Sequence, residues 1–79
     1  MANKEQVLRA QAELDIQRAN DVLRWCIGCL KGENIVSRLG GRIQICLILK
    51  KELASKGFWW QVKVLEYWIH RARRGDFGP

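Results

Sequence analysis

The stretch Leu8–Leu30, LRAQAELDIQRANDVLRWCIGCL, decides the fold. At 100° per residue, Leu8, Ala12, Ile16, Ala19, Leu23, Cys26 and Leu30 fall on one narrow stripe, spaced three or four apart throughout. Glu5/Arg9, Arg9/Glu13 and Asp21/Arg24 stand at the spacings that support a helix surface. Upstream, Asn3 is a good N-cap and Glu5 suits a first turn; downstream, Lys31-Gly32 is a good ending. These signals predict one helix over about 4–31.

From Val22 onward the apolar arc widens, because Trp25, Ile27 and Cys29 join it. The front half therefore has one seam, while the back half must be covered from two sides. Twenty-eight helical residues span about 42 Å, against a diameter of roughly 30 Å for a compact domain of this size. A straight helix must overhang the rest of the fold, and its exposed stripe then wants a second chain. The alternative is a break near Asn20, which needs no partner.

Two more segments follow, set off by Gly32-Glu33-Asn34 and Ser55-Lys56-Gly57. In Asn34–Ser55, the residues Ile35, Val36, Leu39, Ile43, Cys46, Leu47, Leu53 and Ala54 keep a helical period. Gly40-Gly41 weakens a helix interior by about 1 kcal/mol per glycine, which predicts a break there into a short helix and a longer one. In the third segment Phe58, Val62, Leu65, Trp68, Ile69 and Ala72 make one face, and Arg71, Arg73 and Arg74 suit the negative end of a helix. The expected fold is all-α, one small helical domain over 1–79 with two or three shorter helices bundled on the first. The alternative is α+β, with a hairpin inside 42–68, because Ile43, Ile45, Leu47 and Leu49 alternate along the chain and Trp60–Val64 also suits a strand.

A chain of 79 residues sits near the lower limit for building a core unaided, although four tryptophans add area to bury. Three cysteines do not make the even set of a disulfide-stapled secreted domain. The opening MANKEQVLRAQAELD lacks the features of a signal peptide, and the longest apolar run, Ile45–Leu49, is too short to cross a bilayer. A cytoplasmic protein with no membrane partner is expected. The net charge of +6 is unevenly spread: residues 1–30 hold four basic and four acidic residues, whereas 31–74 hold ten basic and three acidic ones. A neutral front and basic rear suggest a protein-contacting segment followed by one that favours an anionic partner.

Cys26-Ile27-Gly28-Cys29 has the wording of a redox site or zinc knuckle. Redox pairs sit at a helix N-terminus, where the dipole favours the thiolate; this pair falls in a last turn, where it does not. Cys26, Cys29, Cys46 and His70 supply the residue types of a Cys₃His zinc set. Cys46 and His70 stand singly, however, and Cys46 lies on an apolar face, so buried inert thiols are expected, with no metal and no cofactor. With one histidine and no phosphate-binding glycine pattern, no enzyme is expected either.

Two surfaces suggest binding. On the third segment, opposite its core face, Trp60, Val64 and Tyr67 align with Lys63, Arg71 and Arg74 around them, a mixture typical of interface hot spots. Packing of this stripe against Trp25 or Val22 is the competing explanation. The segment Ile35–Cys46 resembles a helix-turn-helix, with Gly40 at the turn, although Val36, Gly41 and the aliphatics Ile43, Leu47 and Ile48 depart from that motif. The resemblance implies nucleic-acid contacts from Arg38, Arg42, Gln44 and Lys51.

The expected function is a non-catalytic protein-protein interaction module of the inhibitor or adaptor kind common in phage and mobile elements. It would self-associate as a homodimer through Leu8, Ala12, Ile16, Ala19 and Leu23, and bind an acidic or nucleic-acid-bound protein through Trp60, Lys63, Tyr67, Arg71 and Arg74. The alternative is a dimeric DNA-binding regulator with a degenerate helix-turn-helix at 34–50.

Overall fold

The computed structural model describes residues 3–33 and 39–77, which form three helices and, among these residues, no strand. They are α1 (Lys4–Lys31), α2 (Leu39–Ser55) and α3 (Trp59–Arg73), each packed on the other two. The fold is the all-α bundle, and the hairpin alternative over 42–68 is overturned. The alternation of Ile43, Ile45, Leu47 and Leu49 was imperfect, since Cys46 and Ile48 between them are apolar too. A helical wrap instead buries Cys46 and Leu53 and half-buries Ile43, Leu47 and Leu49.

Helix α1 starts in a capping box: Gln6 N donates to Asn3 Oδ1 at 2.8 Å and Asn3 N donates to Gln6 Oε1 at 3.3 Å. It ends on Gly32, whose φ of 81° lies in the left-handed region, while Gly32 N and Glu33 N donate to Cys29 O and Gly28 O. A Cβ at Gly32 would also come within 3.1 Å of Arg42 Nη1. We expect Gly32→Ala to lower the unfolding free energy by about 1–2 kcal/mol, read as a lower urea midpoint with unchanged slope. No loss would mean that the cap is free to rearrange.

The alternative, a break near Asn20, does not occur. Gln61 Nε2 donates to Asn20 Oδ1 at 2.9 Å, which locks α1 to α3 at that level. The expected break at Gly40-Gly41 is also absent from the described residues: α2 runs helical from Leu39 through both glycines. Residues 34–38 lie outside the described residues.

The core is a seam between the three helices: Ala19, Leu23, Cys26 and Leu30 from α1, Cys46 and Leu53 from α2, and Val62, Leu65, Ile69 and Ala72 from α3. Of the residues that widen the α1 arc, Cys29 is buried and Ile27 half-buried, whereas Trp25 stays 45% exposed. Lys50 Nζ and Glu66 Oε1, 3.6 Å apart, join α2 to α3 outside this seam. The turn at Gly57, φ 80°, brings Phe58 back onto the core, where Phe58 N donates to Leu53 O.

The molecule measures 54 × 20 × 16 Å, and its radius of gyration of 15.1 Å exceeds the roughly 12 Å of a compact domain this size. The overhang is therefore present. Every residue from Asn3 to Leu14 is exposed, while the bundle begins at Ala19.

Candidate functional site

The expected binding residues fall on two surfaces outside the core, the outer face of α3 and the free end of α1, while α2 leaves Ile45 and Ile48 exposed. On α3 the inward positions Val62, Leu65, Ile69 and Ala72 recur every three or four residues, which turns Trp60, Lys63 and Tyr67 outward. Trp60 is 65% and Tyr67 57% exposed, so these rings are not packed into the bundle as the competing explanation held; Val64 is half-buried against the core. Trp59, outside the expected contact set, is 61% exposed beside Trp60. The signal was in the Trp59-Trp60 pair itself, because adjacent helical positions differ by 100° and an inward face already supplied by Phe58 and Val62 has room for neither.

Arg71 departs from its expected role as a partner contact. Its guanidinium lies 5.0 Å from the Trp68 ring, 5.3 Å from Phe77 and 5.8 Å from Tyr67, while Nε approaches Asp76 Oδ2 at 3.4 Å. Trp68 and Phe77 stack at 5.6 Å, and Lys31 Nζ sits 4.8 Å from the Trp68 ring. The chain after α3 thus folds back over Arg71, which becomes a half-buried structural cation. Arg74 is exposed, and its Nη2 donates to Asp76 Oδ2 at 2.8 Å. That hydrogen bond, with Arg71 adding to it, holds the Asp76 carboxyl below its ordinary range. Two cations of the expected five-residue set are therefore partly neutralised within the chain.

The free end of α1 divides the other expected set. Leu8 and Ile16 are 59% and 48% exposed, and Ala12 is exposed with them. Ala19 and Leu23 are corrections: both are buried under α2 and α3 and belong to the core of their own chain. The stripe is continuous, but the bundle covers its lower half. Where covering stops there is a cleft of about 330 Å³, floored by Ala19, Val22, Leu49, Leu53 and Phe58 and rimmed by Asp15, Arg18, Glu52 and Lys56.

Among the described residues the expected nucleic-acid contacts divide between a committed arginine and an exposed pair. Arg42 is half-buried and donates through Nη1 to Cys29 O at 3.2 Å, so it secures the end of α1. Gln44 and Lys51 are exposed on α2, and Arg38 lies outside the described residues. Gly40, the turn residue of the helix-turn-helix resemblance, is helical.

Cys26, Cys29 and Cys46 are buried and form no disulfide. Cys46 Sγ donates to Cys26 O at 3.6 Å across the α1–α2 seam. Hydrogen bonding with Cys46, and after it burial, push the Cys26 thiol far above its ordinary range, which keeps it protonated and unreactive. Among the described residues no three His, Cys, Asp or Glu side chains gather to hold a metal ion, and His70 is exposed on α3, away from the buried thiols. No helix of the described residues is long and apolar enough to cross a membrane.

The class that fold and surfaces define is a three-helix bundle with one overhanging helix and an outward aromatic face. No family model, no curated protein and no solved structure matches the chain.

Proposed function

We propose that this chain is a small non-catalytic protein-protein interaction module, an inhibitor or adaptor that acts by occupying a partner's surface. It self-associates through the free end of α1 and engages an acidic protein through the outer face of α3. One observation carries this reading: Trp60 and Tyr67 are both more than half exposed on a helix whose opposite face already fills the core. Large aromatics beside Lys63 in that position contribute little to folding and much to binding. Three cysteines with no disulfide among them agree with a reducing, cytoplasmic setting.

The alternative, a dimeric DNA-binding regulator, draws on the net charge of +6. Arg42 speaks against it, because its guanidinium is committed to Cys29 O.

The test is affinity capture from the native host with the wild type and with Trp60→Ala/Tyr67→Ala. We expect the double variant to keep its helical content and melting temperature, because both rings are exposed, and to lose the captured partner. Unchanged capture would show the aromatic face to be idle. Titration with duplex DNA separates the two readings: a phosphate-binding protein loses affinity by orders of magnitude between low and moderate salt, whereas an aromatic-centred interface changes far less.

A further inference from the structure

We infer that the free end of α1 pairs with the same segment of a second copy, antiparallel, with each helix tip ending at the cleft of the other molecule. This rests on the self-association proposed above and specifies its geometry.

The steric argument comes first. The free stripe Leu8–Ala12–Ile16 runs in line with Ala19 and Leu23, which α2 and α3 cover. A second helix laid parallel on that stripe would collide with the bundle a turn or two below Ile16. Laid antiparallel, it runs away from the bundle, and its own bundle lies beyond the first tip. The capping box ends each helix at Asn3, so the free length is set within the chain: about 20 Å from Asn3 to Asp15. Two such lengths overlap fully when each tip stops where the other bundle begins, at the cleft beside Asp15. That stop sets the register: Leu8 lies level with residue 10 of the second copy and seats between its Leu8 and Ala12.

Charge gives an independent check. On the wheel, Lys4 and Asp15 fall within 20° of each other on one flank of the stripe. In an antiparallel two-fold pair, equivalent flanks face each other, and the register set by the tips places Lys4 opposite Asp15 of the second copy, twice by symmetry. On the other flank the same register brings Glu5 level with Glu13 of the second copy, with the two Arg9 side chains between them. Arg9 is already balanced by Glu5, whose Oε1 it meets at 3.1 Å. The contact is shorter than a standard interface burying roughly 800 Å² per partner, which points to a micromolar dimer.

The test is sedimentation equilibrium of the full chain and three variants, with helical content checked by circular dichroism. Lys4→Glu replaces two attractions with two repulsions and should weaken the dimer about tenfold; Asp15→Lys should do the same. The combined Lys4→Glu/Asp15→Lys exchange should restore the wild-type constant to within about threefold, since each pair is rebuilt with signs reversed. Restoration supports the antiparallel register. A dimer that persists while the exchange restores nothing overturns this register and leaves self-association standing. A wild type that stays monomeric overturns both.

Discussion

Leu65→Ala is expected to lower the unfolding free energy by about 3–4 kcal/mol, the largest effect of any single substitution considered. Leu65 is fully buried at the centre of α3, within the one cluster that all three helices share. The substitution removes its transfer free energy and leaves a cavity that three rigid helices cannot close. A chain of 79 residues has a total stability of only about 4–12 kcal/mol, so this loss brings the variant close to unfolding at ambient temperature. Urea denaturation followed by circular dichroism measures it. A loss under about 1 kcal/mol would mean that the site relaxes and that the three-helix seam is not what holds the chain together.

The second large effect falls on the polar pair where α1 leaves the bundle. Gln61 is buried and its amide donates to Asn20 Oδ1 at 2.9 Å. Gln61→Leu keeps the volume but strands the Asn20 amide beside an apolar group, at an expected cost of about 1–3 kcal/mol. Removing both partners, as Asn20→Leu/Gln61→Leu, should recover most of that loss, because no group is then left unpaired. The cycle is read from the urea midpoints of the four proteins. If the double variant is as unstable as the single, the pair is not coupled, and the lock that keeps α1 straight past Asn20 lies elsewhere.

Helix α1 was legible from end to end, because its cap, its stripe and its terminal glycine all agree and all are local. Helix α2 was less so. Gly40-Gly41 read as a break because each glycine weakens a helix by about 1 kcal/mol, yet both are helical in α2, which packs on the other two helices. The strand alternative arose from the same apolar density: α2 buries Cys46 yet exposes Ile48, so neither period separates inside from outside cleanly. On α3 the periodicity correctly turned Trp60, Lys63 and Tyr67 outward. Arg71 could not be assigned that way. Its environment depends on Asp76 and Phe77 folding back, a tertiary event that helical spacing does not encode. Ala19 and Leu23 shared a stripe with Leu8 and Ile16, and only the shorter lengths of α2 and α3 show where that stripe stops being core.

The central claim is that α1 outruns its bundle and that a second molecule covers what it leaves bare. Sedimentation equilibrium of the wild-type chain at roughly a hundred micromolar, far above a micromolar dissociation constant, tests it most directly. The account predicts a mass approaching twice the 9.2 kDa of the chain, falling towards 9.2 kDa on dilution. A particle of 9.2 kDa at every concentration, helical and stable, would contradict it.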